Sequence, residues 1–193
     1  MTFCAEPSIS SVVILDDRGQ RIAARYYTER LQTLASQQKF EGVLHKKATK
    51  SAASGEADIV LFDGHVAVMR QGKDTNFIVT GTMDENEIIL VEVLGTLFNA
   101  LTSLMPGGSL DSTTMLDKLD VVLLVLDELV DGGVILEIEP AAIVNRVGMK
   151  GTEGASGASS MLPSVGGTAS TTPQQALLSF KEQMTRAFKA TGT

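Results

Sequence analysis

The chain has 193 residues and a formal net charge of −7, with 44% hydrophobic and 20% charged residues. That length suits one domain with an extension, and this composition excludes a globally disordered chain. The acidic excess argues against nucleic acid as a partner, because phosphate binding needs a basic face.

The single cysteine, Cys4, cannot form an internal bridge, and a domain of about 150 residues buries enough surface to need none. Residues 1–7 carry Glu6 and no basic segment, so no secretory signal is expected there. The most apolar stretch, 88–105, is interrupted by Glu92, Thr96 and Asn99. It reads as a buried helix rather than a membrane span, which needs about 20 predominantly apolar residues. The expected address is the cytoplasm.

In chain order, residues 12–15 form a short β-branched run that predicts a buried strand. The string Asp16-Asp17-Arg18-Gly19 supplies turn chemistry. A second strand is predicted over 21–27, with Ile22, Ala24 and Tyr26 on one side and Arg21, Ala23, Arg25 and Tyr27 on the other. Thr28 is the predicted cap of a helix to about residue 47. Leu31, Leu34, Gln38 and Glu41 lie on one line of that helix, with Phe40, Val43 and Leu44 nearby. Lys46, Lys47 and Lys50 sit at its end, where the helix dipole favours cations.

Residues 58–62 and 65–70 flank Asp63-Gly64, the pair that best marks a two-residue hairpin. A further strand is predicted over about 75–81. Asp84, followed by Glu87, is the predicted cap of a helix to about 105 that is apolar almost all round and so buried on more than one side. Pro106-Gly107-Gly108 breaks it. A helix is predicted over 112–130, with Leu116, Leu119, Leu123, Leu126 and Leu129 as its core face. Asp131-Gly132-Gly133 ends that helix. Residues 134–138 read as extended, and Pro140 opens a last short helix.

Residues 151–173 are mostly Gly, Ser, Thr and Ala and read as a flexible linker. Residues 174–193 carry Leu177, Phe180, Met184 and Phe188 at helical spacing, which suits either a short docked helix or a disordered tail. Domain limits of 1–150, 151–173 and 174–193 follow.

No catalytic constellation stands out, and no cofactor is implied. His45 and His65 lack a cysteine or carboxylate cluster at metal spacing. Gly72-Lys73 is followed by Asp74, which excludes a phosphate-binding loop. Charge is distributed unevenly. Residues 84–139 hold twelve acids against one base, Lys118, a net of −11; residues 1–83 carry +1 and residues 140–193 carry +3. An acidic, hydrophobic-rich helical half suits an interaction protein better than an enzyme.

The element order ββαβββαα resembles the longin-like fold, and local strings narrow the resemblance. Val13-Ile14-Leu15-Asp16-Asp17-Arg18-Gly19-Gln20-Arg21, with Ala24-Arg25-Tyr26-Tyr27, is similar to the opening hairpin of coatomer zeta subunits. Glu85-Asn86-Glu87 before Ile88-Ile89-Leu90 is similar to the start of their long helix. Leu126-Asp127-Glu128, then Asp131-Gly132-Gly133-Val134-Ile135-Leu136-Glu137, is the best match. The sigma subunits of clathrin adaptors share the Leu-Asp-Glu and Gly-Gly pairs, while the continuation favours zeta. The resemblance covers about residues 10–150.

The resemblance implies an α+β fold: a five-stranded antiparallel sheet with one helix on one face and longer helices on the other. It implies a non-catalytic subunit held by the solenoid trunk of the coatomer gamma subunit among other coat subunits. Recruitment to Golgi membranes and vesicles would follow through a GTP-loaded ADP-ribosylation factor, making membrane association peripheral. The family-motif residues are Asp16, Gly19, Tyr26, Tyr27, Asn86, Glu87, Leu126, Asp127, Glu128, Asp131, Gly132 and Gly133. Leu90, Leu97, Phe98, Asp127 and Glu128 are the expected partner contacts. The alternatives are a sigma-type clathrin adaptor subunit and a profilin- or PAS-like ligand sensor.

Overall fold

The computed structural model describes residues 8–51 and 57–149. The tail beyond 150, with the expected linker and the 174–193 segment, lies outside the described residues. Five strands form one antiparallel sheet in the order β2-β1-β5-β4-β3. They are β1 (Ile9–Asp16), β2 (Arg21–Tyr26), β3 (Asp58–Phe62), β4 (His65–Gln71) and β5 (Thr75–Thr82). Helix α1 (Leu34–Ser51) joins β2 to β3. The second half holds α2 (Glu87–Leu104), α3 (Ser112–Asp117), α4 (Leu119–Leu129), a small hairpin of β6 (Val130–Asp131) and β7 (Val134–Ile135), and α5 (Pro140–Met149).

Strands β1, β4 and β5 are apolar on both sides because the sheet is covered on both sides. Val12 and Ile14 point into the cluster beneath α2, α4 and α5. Their neighbours Val13 and Leu15 point into the cluster beneath α1. Phe77 and Val79 against Ile78, and Val66 and Val68 against Ala67 and Met69, divide the same way, as period-2 alternation requires. One polar pair crosses the buried centre: Ser11 Oγ and Thr80 Oγ1 lie 2.7 Å apart on paired residues. The Asp63-Gly64 turn has φ of 47° and 76°, the two left-handed residues that a type I′ hairpin requires.

Four expectations need correction. The β1–β2 register shifts between Ile14 and Leu15. This bulge puts Ile22 with Ala23 on the α2 side, leaving Ala24 and Tyr26 on the α1 side. Thr28 makes no capping bond and precedes a single 3₁₀ turn; α1 starts later, with Thr33 Oγ1 accepting from the Ser36 N–H at 3.3 Å. The buried side of α1 is therefore Phe40, Glu41 and Leu44, while Leu34 is 61% exposed. Helix α2 is capped by Asn86, whose Oδ1 accepts from the Ile88 N–H at 2.9 Å, and not by Asp84.

The fourth concerns residues 112–130, which are two helices meeting at Lys118 with φ −116° and ψ 33°. The break rotates the buried line to Met115, Val122, Val125, Leu126 and Leu129, leaving Leu116 exposed and Leu119 and Leu123 only partly covered. Asp111 caps α3, accepting from Ser109 Oγ and from the Thr114 N–H and hydroxyl. These bonds, the one from Ser109 above all, pull its carboxyl down to about 2.

Helix α2 is long and apolar enough to cross a membrane, but most of its large apolar side chains are covered by the protein, Ile88 being the exposed exception. Leu90, Val93, Leu94, Leu97, Ala100 and Leu101 are buried between the sheet, α4 and α5. A helix packed on three sides is apolar nearly all round for that reason.

Candidate protein-interaction surface

The motif residues fall into two groups, hinge points of the backbone and polar ties between elements. Asp16 Oδ1 accepts from the N–H groups of Arg18 and Gln20 at 2.9 and 2.6 Å, folding the β1–β2 turn about itself. Gly19 takes φ +79° there, and a Cβ at that position would come within 2.8 Å of the His45 ring. Gly133 has φ +88°, its carbonyl accepts from the Ile9 N–H at 2.8 Å, and a Cβ would meet Ile9 O at 3.0 Å. Only glycine lets the β6–β7 turn lie this close to the start of β1. Gly132 at φ +56° completes the turn after Asp131.

Tyr26 and Tyr27 serve opposite faces of the sheet. The Tyr26 hydroxyl donates to Glu41 Oε1 at 2.5 Å, and Arg21 Nε donates to the same oxygen at 2.5 Å. Burial, then the bond to Glu41, pushes the Tyr26 phenol above its ordinary range. The Tyr27 hydroxyl donates to Val130 O at 3.0 Å, and burial pushes its pKa up to about 12.

Asp127 and Glu128 both engage partners within the chain. Arg25 Nε and Nη2 reach Asp127 Oδ1 and Oδ2 at 2.9 and 3.2 Å. Arg146 Nη1 lies 3.2 Å from Glu128 Oε2, and its Nη2 donates to Glu137. These ties join β2 to α4, and α4 to α5 and the segment before it. Asn86 and Glu87 form the entry of α2, and Leu126 is fully buried.

The expected apolar contacts Leu90 and Leu97 are corrected by burial: they are 2% and 0% exposed in the chain's own core. Phe98 is partly covered, edge-on to Phe77 at 5.3 Å with Arg70 Cζ 3.8 Å from its ring centre. Exposed apolar side chains are found at several places, among them Ile88 on α2 and Ile59 and Leu61 on the edge strand β3, and three of them lie in a row after the β6–β7 turn. Val134, Leu136 and Ile138 are each about half exposed and alternate along one extended segment. Asp131 and Glu139 flank them, both exposed. Sequence reasoning missed this stripe, although its signal was present: a period-2 apolar run directly after Gly-Gly.

Two layers of helix on one antiparallel sheet, locked by this set of ties, match a known family. Residues 8–153 fit the family of the clathrin adaptor complex small chain. The chain belongs to that family. Among its curated relatives is coatomer subunit zeta-1 of Oryza sativa subsp. japonica, 38% identical over 181 residues that cover 94% of this chain and 96% of that one. Coatomer subunit zeta-2 of Arabidopsis thaliana is 34% identical over 94% of this chain and 95% of its own. Coatomer subunit zeta-1 of Homo sapiens is 32% identical over 77% of this chain and 82% of its own.

Among structures, a chain in a homology model of the full-length AP-3 complex in a stretched open conformation superposes with a TM-score of 0.61. It is 14% identical and covers 75% of this chain and 94% of that one. The adaptor small-chain fold is thus the longin-like α+β fold the sequence predicted. As an adaptor small chain, the protein is a coat adaptor subunit, a structural component of a multi-subunit coat.

Proposed function

We propose that this adaptor small chain is the zeta-type subunit of a coatomer coat, seated in the solenoid trunk of a gamma-type subunit. The observation that carries the reading is the near full-length match to coatomer zeta relatives. The seat would use the Val134, Leu136 and Ile138 stripe, since an exposed apolar run with a charged rim is the usual mark of an interface. Asp127 and Glu128, already held by Arg25 and Arg146, would orient that surface. An obligate contact of this kind usually buries more than about 2,000 Å².

In this reading the chain has no chemistry of its own. It stiffens the trunk, and the assembled coat is recruited to Golgi membranes by a GTP-loaded ADP-ribosylation factor. The coat then serves Golgi-to-endoplasmic-reticulum and intra-Golgi transport. The family model, which describes clathrin adaptor small chains, favours a second reading as a sigma-type subunit. Co-expression with a gamma-type coatomer trunk and with a clathrin adaptor trunk separates them. A stable one-to-one complex with the coatomer trunk alone supports the first reading, and one with the clathrin adaptor trunk alone overturns it.

A further inference from the structure

The two edges of the sheet differ in how they are protected. β2 carries Arg21 and Arg25 and is fastened to α4 by the Arg25–Asp127 pair, and charge on an edge strand hinders further pairing. β3 ends the sheet on the other side. Val60 and Phe62 pack into the cluster beneath α1, so Ile59 and Leu61 lie on the α2 face, where they are 51% and 55% exposed. A two-residue turn joins Phe62 to His65, so the pairs 62–65, 60–67 and 58–69 carry the backbone hydrogen bonds between β3 and β4. The N–H and C=O groups of Ile59 and Leu61 therefore point away from β4, to the open edge. Asp58 shares the α1 face with Val60 and Phe62, because side chains alternate along a strand. Lys47 Nζ lies 5.7 Å from the Phe62 ring centre. Neither Asp58 nor Lys47 forms an ion pair among the described residues.

We propose that β3 pairs with β3 of a second copy of this chain, antiparallel and centred on Val60. In that register Ile59 lies opposite Leu61 of the other copy, and the two exchange the backbone groups that face the open edge. Their side chains cover one another on the α2 face. On the α1 face Val60 meets its own counterpart, and Asp58 lies opposite Phe62, within reach of Lys47 of the other copy. The strand is thus its own complement in hydrogen bonds, apolar surface and charge, as a two-fold contact requires. An extended peptide from an unrelated protein would satisfy the backbone and lack the matching acid. Pairing joins two five-stranded sheets into one whose outer edges are both β2, so assembly stops at the dimer. A contact of one strand a side is small, which puts the dimer in the weak class. The inference does not rest on the coat reading, because the β6–β7 turn of the proposed seat adjoins Tyr27 and Ile9, toward the other edge of the sheet.

The test is sedimentation velocity of the full-length chain from micromolar to millimolar concentration. A reversible monomer–dimer equilibrium with no larger species is expected. Ile59→Lys/Leu61→Lys, at two exposed positions, should weaken dimerisation about tenfold or more, by setting like charges against each other, with an unchanged circular dichroism spectrum. Asp58→Lys should weaken it about threefold, and adding Lys47→Asp should restore it. Oxidation reads the register. In a Cys4→Ser background, Val60→Cys should form a disulfide-linked dimer, since directly opposed residues of an open pair stand close enough for the bond. Ile59→Cys, diagonal to itself across the two-fold axis, should not. A monomer at millimolar concentration would overturn the inference. So would a dimer that the double Lys variant leaves intact, a charge swap that restores nothing, equal crosslinking through Ile59→Cys, or growth beyond the dimer.

Discussion

Arg25 on β2 grips Asp127 on α4 through both ends of its guanidinium, 102 residues apart in sequence. The tie fixes the helical layer against the edge of the sheet, and Asp127 draws the Arg25 pKa above its ordinary value. Both side chains keep solvent contact, so the pair is worth little beyond its geometry. A double-mutant cycle with Arg25→Ala and Asp127→Ala should give a coupling of about 0.2–1 kcal/mol by urea unfolding. A coupling above 2 kcal/mol would mean that the pair is far less hydrated than this exposure indicates.

Two glycines in one turn should respond differently to the same change. Gly132→Ala meets open space at φ +56° and should cost about 1 kcal/mol from the left-handed backbone alone. Gly133→Ala adds a contact at 3.0 Å with the backbone oxygen of Ile9 and should cost more, about 2–3 kcal/mol. Denaturant midpoints of the two variants give the order directly. A cheaper Gly133→Ala would show that the turn can move away from β1.

The buried phenols make the protein sensitive to alkali. Tyr27 titrates near 12 in the folded protein and near 10 when unfolded. Between those values the unfolded chain is the one that loses its proton, so stability is full below about pH 10 and falls as pH rises toward 12. Tyr27→Phe should flatten that fall, measured as Tm against pH. Asp111 acts at the other extreme. Its folded value near 2 lies below the ordinary carboxylate range, so its contribution is present above about pH 4 and fades as pH falls toward 2. Asp111→Asn should remove that acid dependence, and an unchanged acid limb would show that the capping carboxylate is not what titrates.

Burial separates residues that look alike in sequence. Leu97 is fully buried and Leu136 is 53% exposed. Leu97→Ala should cost about 2–5 kcal/mol in the isolated chain, whereas Leu136→Asp should leave stability within about 0.5 kcal/mol. The solenoid complex should show the reverse, losing Leu136→Asp by pull-down while retaining any Leu97→Ala that folds. Undiminished capture of Leu136→Asp would remove the stripe from the interface.

Much of this is legible in the sequence. The Asp63-Gly64 turn, the five strands and the all-round apolar α2 follow from local chemistry, because turn conformation and period are properties of neighbouring residues. What was not legible depended on distant ones. The break at Lys118 turned Leu116 outward, and the bulge after Ile14 changed the side that Ile22 serves. The burial of Leu90 and Leu97 was hidden for a related reason. Leu90 and Leu97 signal hydrophobic excess, and only the packing of the sheet, α4 and α5 on α2 shows that these two side chains are covered internally while Ile88 is left exposed.

Membership of a coat through a solenoid partner predicts a defined assembly in the cell. Native mass measurement of what elutes with the tagged full-length chain after gentle lysis tests it most directly. The account predicts an assembly containing a gamma-type helical-solenoid coat subunit in one-to-one ratio with this chain. Elution as a free monomer near its own 20.5 kDa would contradict it.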